Sequence, residues 1–275
     1  MTRRIVLCID DFALSTGINT AALALAHAGR LGAISCMVGA PAWAQGAPLL
    51  RRLDGTSIDI GLHLDFTEAP LQAELGRPLG QLISMAYLRR LPRVRIRREI
   101  DAQLDAFEAG LGRPPDHVDG HQHVHQLPVV REMLLAALRE RGLRCWVRGT
   151  DRAPGEHGFK PWLIHQLGGP RLRRLAARDH LTVSPRLLGV YDFTGGAGRY
   201  RELLSAWLSS ARDGDVLMCH ASSERPAGAT SDPIAQARWA EYQVLSGEAF
   251  PALLGRHGCE ITPLKRALEP AGLAS

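Results

Sequence analysis

Short apolar runs alternate with longer amphipathic stretches along most of the chain, and this alternation restricts the available folds more than any other feature. Ile5-Val-Leu-Cys-Ile9, Ile34-Ser-Cys-Met-Val38, Ile58-Asp-Ile-Gly-Leu62, Cys145-Trp-Val147, Leu187 to Phe193, Val216-Leu-Met-Cys219 and Glu260-Ile-Thr262 read as strands. Helical patterns lie between them at Thr16 to Leu31, Val94 to Leu111, Trp162 to Ala177, Tyr200 to Ala211 and Pro233 to Leu245. A further helix follows Pro128, with Val129, Met133, Leu134 and Leu138 on its apolar face. Strands that alternate with helices form a parallel sheet, because each crossover returns the chain to the same end. For 275 residues the expectation is a distorted (β/α) barrel, TIM-barrel-like, with about seven strands; a doubly wound open sheet is the alternative. No repeat, linker or composition shift divides the sequence, so residues 1–275 are expected to form a single domain.

One stretch breaks the apolar rule. His117-Val-Asp-Gly-His-Gln-His-Val-His125 places four histidines and Asp119 on alternate positions, which in an extended backbone would face one side. Histidine tracts can be disordered or adventitious metal binders, but this one lies mid-chain and is interrupted by Val118, Gly120 and Val124. At about 3.3 Å per residue its ends would lie roughly 26 Å apart when extended, so the five groups cannot share one ion. It reads as a short strand opening into a loop at Gly120, and the rest of any metal site must come from elsewhere.

Other polar residues stand at strand ends: Asp10-Asp11 after the first strand, His63 after the third, Arg148 after Val147 and His220 after Cys219. In parallel α/β folds that edge carries the site, because strand ends are rigid and the loops above them enclose a pocket. One carboxylate with two imidazoles leaves positions open for water and substrate and suits Zn²⁺ or another divalent ion better than Mg²⁺. Adjacent Asp10 and Asp11 point in different directions if the strand continues, so one can bind metal while the other takes a proton from water. His220 is placed to protonate a leaving group. That division of labour fits hydrolysis of an amide or ester. Thr67 to Pro92 lacks periodicity and is too long for an ordinary connection, which suggests a lid or substrate loop with some helix of its own.

Asp10-Asp11-Phe12, Gly61-Leu-His63-Leu64, the 117–125 stretch and Met218-Cys-His220 together resemble the YdjC-like carbohydrate deacetylases, which include chitooligosaccharide deacetylases and hopanoid-biosynthesis-associated deacetylases. The resemblance spans nearly the whole chain and implies a distorted (β/α) barrel that removes an acetyl group from an N-acetylated sugar with one divalent metal ion. Carried over by motif, Asp11, His63 and His121 are the metal ligands, Asp10 the catalytic base and His220 the general acid. Asp119 would orient His121, while His123, His125 and Arg148 would line the sugar site. Two positions depart from the family pattern: Ala13 stands where Gly is usual, and His220-Ala221 replaces His-Pro.

Composition narrows the partners. Apolar residues make up 45% and charged residues 22% of the chain, as in a globular protein. No apolar run approaches the roughly 20 residues of a membrane span. No signal-peptide pattern precedes the first strand, and five scattered cysteines without disulfide-like spacing suit a reducing compartment, so the cytoplasm is expected. The net charge of +5 comes from arginine, lysine occurring only at Lys160 and Lys265. Arg89-Arg90, Arg95-Ile-Arg-Arg98 and Arg171-Leu-Arg-Arg174 offer contact to phosphate or to an anionic membrane surface. They read first as solvated helix faces, and the lack of interleaved aromatics argues against nucleic acid. A metal-dependent phosphoesterase and a non-catalytic sugar- or metal-binding protein are the alternative functions.

Overall fold

The computed structural model describes residues 2–53, 58–152, 158–227 and 231–269. The central strand is β1 (Arg3–Phe12), buried on both faces from Ile5 onwards, as expected when helices cover both sides of a parallel sheet. It is flanked on one side by β2 (Ala33–Cys36), β3 (Asp59–Leu64), β4 (His117–Gly120) and β5 (Trp146–Val147), and on the other by β7 (Val216–Cys219) and β6 (Leu187–Leu188). β8 (Cys259–Ile261) pairs with Arg3 to Ile5 of β1. Every pairing is parallel. The end strands approach one another through a parallel bridge between Val147 and Val183 and a 2.8 Å bond from Leu187 N to Asp151 O. The sheet is therefore a distorted (β/α) barrel.

Helices cover the sheet in the expected order. In α1 (Thr16–His27) the Ser15 hydroxyl caps the first turn by accepting from Ile18 N, and α2 (Trp43–Leu50) follows β2. In α4 (Arg93–Leu111), Ile96, Ile100, Leu104, Phe107 and Leu111 face the core, and Gly112 ends the helix at φ +73°. After α5 (Val130–Glu140), the single helix expected over 162–177 is two: α6 (Phe159–Gln166) and α7 (Gly169–Arg178). The break is at Gly168, where φ is +150° and a Cβ would stand 2.1 Å from Gln126 O, a fit only glycine permits. The strand expected over 187–193 stops at Leu188 because Gly189, at φ +93°, passes against the Met218 backbone. The C-terminal part adds α8 (Gly196–Ser210), α9 (Ala235–Ser246), α10 (Ala249–Arg256) and α11 (Leu264–Ala267).

The segment expected to be a lid or substrate loop carries helix of its own and is tied to the body of the fold. It holds a short 3₁₀ turn, Ala73–Leu75, and α3 (Leu79–Tyr87). Two buried carboxylates anchor it: Asp65 accepts from the backbone N–H groups of Thr67, Glu68 and Ala69, and Glu99 of α4 accepts from those of Leu71 and Gln72 at 2.7 and 2.9 Å. Such bonds replace the secondary structure this segment lacks. Among the described residues, no helix is long and apolar enough to cross a membrane.

Candidate active site

The polar strand ends meet in a cleft of about 630 Å³ at the C-terminal side of the sheet, with Asp10, Asp11, His63, His121, His123 and His220 on its surface. Asp10 and Asp11 diverge, as alternation requires, but through a bulge: the pairing of β1 with β2 shifts between Ile9 and Phe12, and Asp11 adopts φ +63°. Ala13 follows at φ +84°, a conformation that suits glycine better. The Asn19 side chain, which accepts from Ala13 N at 2.7 Å and donates to Ala42 O, holds the turn closed.

Each aspartate has its own cation. Both oxygens of Asp10 accept from the Arg148 guanidinium at 2.6 Å, a bidentate pair. Asp11 Oδ2 accepts from Arg238 Nη2 at 2.7 Å, while its Oδ1 lies 2.9 Å from His121 Nδ1 and 3.3 Å from His63 Nε2. Burial alone would raise the Asp11 pKa, but Arg238 and His121 outweigh it and hold the carboxyl well below its ordinary value. For His63, burial opposes the charged ring, yet Asp119 and the bonds to Asp11 and Asp119 raise its pKa to about 10. His121 is raised as well, burial again being outweighed, here by Asp11.

The histidine stripe does not act as one strip. Extended pairing ends at Gly120, and Gln122 and His123 then take φ +51° and +60°, turning the chain aside. His117 is buried beneath, stacked on Trp146 at 4.3 Å. Gly61 makes room for that ring, since a Cβ there would lie 2.4 Å from it. His121 and His123 reach the cleft. His125, expected to line the sugar site, is instead fully buried and bonds to the Arg148 carbonyl at 3.0 Å.

Two further expectations are corrected by the packing. Asp119 orients His63, not His121: its Oδ1 lies 2.7 Å from His63 Nδ1, because the two residues are direct partners across the β3–β4 pairing. Arg148 is buried beneath the site and does not line it, with Asp119 Oδ2 at 2.5 Å and Cys8 Sγ at 3.0 Å besides its Asp10 contacts. Burial opposes its charge, but Asp10 and Asp119 raise its pKa well above the ordinary value, so it stays a guanidinium.

Among the described residues, three overlapping groups have ligand atoms within 4.8 Å of one another: Asp11, His63 and His121; Asp10, His63 and Asp119; and Cys8, His117 and Asp119. Only the first suits a cation open to substrate. Cys8 and Asp119 are in contact with the Arg148 charge, and burial keeps the Cys8 thiol protonated. In the first group, His63 turns Nδ1 to Asp119 and Nε2 to Asp11, the carboxylate–histidine arrangement that orients metal-ligating imidazoles. Its 3.3 Å separation from Asp11 Oδ1 is close to that of two ligands held tetrahedrally at about 2.0 to 2.2 Å from one ion. The donor set fits a divalent transition metal.

The profile of the family described as YdjC-like protein matches residues 4–256. The chain belongs to this YdjC-like family. It is 33% identical over 175 residues to a carbohydrate deacetylase of Mus musculus, the match covering 56% of this chain and 52% of the relative. It is 32% identical over 149 residues to a chitooligosaccharide deacetylase of Enterobacter sp. (strain 638), covering 52% and 58%. The YdjC-like chain thus spans about half the length of these relatives. Its fold is similar to that of a proposed cellobiose-phosphate cleavage protein of Enterococcus faecalis V583, with a TM-score of 0.68, 18% identity and coverage of 97% and 99%.

Two residues of this site escape a strand-end reading because they come from α9. Arg238, besides holding Asp11, donates from Nη1 to the His220 carbonyl. Glu241, one turn on, accepts from His220 N at 2.5 Å and from the Tyr191 hydroxyl at 2.7 Å; burial raises its pKa to about 7. The signal available in sequence is a pair of charges three residues apart that share the buried face with Ala237 and Val244. His220 itself packs edge-on against Phe193 at 5.1 Å, and burial pulls its pKa down to about 4.

Proposed function

We propose that this protein is a metal-dependent carbohydrate deacetylase that hydrolyses the acetamide of an N-acetylated sugar, residues 1–275 acting as one catalytic domain. The observation that carries the reading is the meeting of Asp11, His63 Nε2 and His121 Nδ1 at the cleft surface with Asp10 beside them. The names of the mouse and Enterobacter relatives point the same way. A divalent ion held by those three residues, Zn²⁺ best matching the donors, would acidify water and polarise an amide carbonyl. Asp10, fixed by Arg148, takes the proton of the attacking water. Water adds to the acetyl carbon, the C–N bond breaks, and the proton passes to the departing amine, leaving acetate and a free amino sugar. His220, on the same cleft and held neutral before reaction by burial, which pulls its pKa down to about 4, takes up a proton within the cycle and delivers it to the leaving amine as general acid.

The walls of the cleft indicate the substrate. Leu79, Ile83, Leu127, Leu163, Ile164 and Phe193 line it, and polar groups gather around the strand ends. Such a cleft supports an N-acetylated sugar joined to an apolar group in preference to a bare oligosaccharide. A phosphoesterase reading has less support, since Arg89 to Arg98 and Arg171 to Arg174 do not line this cleft. All five cysteines are free, which supports a cytoplasmic setting.

Incubation with N-acetylated glycolipids and oligosaccharides plus a divalent metal is expected to release acetate, with release stopped by a chelator and restored by added metal. No acetate from any of these substrates would refute the proposal. Metal binding has its own signature. His63 holds a proton up to about pH 10 in the metal-free protein and must lose it to ligate, so metal affinity rises with pH. The metal Kd is expected to fall at least about tenfold per pH unit between roughly pH 7 and 9, more steeply wherever His121, also raised, must lose a proton too. Calorimetry in buffers of different ionisation enthalpy should register the released proton.

A further inference from the structure

Residues 77–98 contain seven arginines and no acidic residue. In the fold they form α3 and the start of α4. Leu79, Ile83 and Tyr87 are four residues apart and share one face of α3. The first two wall the cleft, and the face runs out to Tyr87, about half exposed, beside Leu88 at 59% and Val94 at 65% exposure. Arg89, Arg90, Arg93 and Arg95 are exposed among them. Arg89 lies 3.6 Å from Glu132, whereas no described residue forms an ion pair with Arg90, Arg93 or Arg95. Arg93 and Arg95 occupy the first turn of α4, which has no acidic residue and no side-chain cap. Cations there oppose the helix dipole, so helix stability does not explain their position.

Across the cleft, α6 repeats the pattern. Leu163 and Ile164 line the cavity, and on the same helix Phe159, 73% exposed, and Trp162, 42% exposed, stack on each other at 5.7 Å. We propose that these two rims seat the protein on an anionic lipid bilayer, with the guanidiniums against headgroup phosphates and Tyr87, Leu88, Val94, Phe159 and Trp162 at the acyl boundary. A nucleic acid would satisfy the arginines but leave Leu88 and Val94 in water, so the bilayer is the better match. The inference goes beyond the proposed reaction and does not depend on it.

Sedimentation with vesicles tests the inference, using the full chain without substrate. Binding is expected to vesicles of mixed phosphatidylcholine and phosphatidylglycerol, not to phosphatidylcholine alone, and to weaken as salt is raised. Arg90→Gln with Arg93→Gln and Arg95→Gln should weaken it about a hundredfold. Leu88→Ser with Val94→Ser should weaken it with every charge kept. All five positions are on the surface, so folding by circular dichroism and acetate release from a soluble substrate are expected to be unchanged. Absence of binding to the mixed vesicles would overturn the proposal. So would equal binding by the wild type and either variant, or duplex DNA competing the protein off the vesicles.

Discussion

Asp10→Asn is expected to cut kcat for acetate release by about 10²- to 10⁴-fold, the usual contribution of a positioned general base. Metal content should stay at the wild-type level, because Asp11, His63 and His121 supply the proposed ligands. Asparagine keeps the size of the side chain and leaves Arg148 paired with Asp119 at 2.5 Å, so the fold should survive. The measurement pairs kcat with metal analysis of the purified variant. Loss of the metal would instead assign Asp10 to the ligand set, as in the overlapping group with His63 and Asp119. A non-catalytic binding protein would keep its ligand affinity unchanged, and it would show no turnover to lose.

Arg148→Met should be the most destabilising of the substitutions at this site. The guanidinium is fully buried between Asp10 and Asp119, both buried themselves. Removing it leaves two carboxylates without their cation, a loss of about 3 to 5 kcal/mol and a fall of roughly 10 °C in Tm. The pH dependence gives a second check. In the wild type, burial would raise the Asp119 pKa, but Arg148 and His63 hold it well below its ordinary value. Its contribution to stability is therefore present above the unfolded carboxyl pKa and lost as pH falls through the lower folded value. Without Arg148, burial pulls the Asp119 pKa back up, and once it passes the unfolded value the folded variant binds protons its unfolded chain lacks. The stability gap between wild type and variant should accordingly be widest near neutral pH and narrow towards pH 5. A gap independent of pH would mean that lost packing, not unpaired charge, causes the effect. Arg148→Lys, which keeps the charge but not the bidentate contact, should recover part of the stability.

Much of the site was legible because its residues follow apolar strands. His63 ends β3 and Asp10-Asp11 ends β1, and strands of a parallel sheet deliver their ends to one edge whatever the details of packing. Arg238 and Glu241 were not legible in that way. They lie on a helix that packs over the cleft from the far end of the chain, and nothing local marks which helix closes there. Arg148 is legible as a strand-end residue but its depth is not, since exposure depends on what the neighbouring strands place around it: Cys8, Ser35 and Asp119 enclose it.

The sequence by itself determined the order of strands and helices, the parallel sheet and the supply of carboxylates and imidazoles at the strand ends. These follow from local periodicity and from chain direction. Only the tertiary structure decided which groups act together. Alternation puts His117, Asp119 and His121 on one side of an ideal strand, and within β4 His117 and Asp119 do share that side, both bonded to the Ser35 hydroxyl. Depth then separates their partners, His117 under Trp146 and Asp119 against His63, while the chain that turns after Gly120 carries His121 to Asp11. The register of β4 against β3, set between residues 56 positions apart, chose the partner of Asp119. A period of two fixes faces within one strand, whereas the neighbour on that face is a property of the packed sheet.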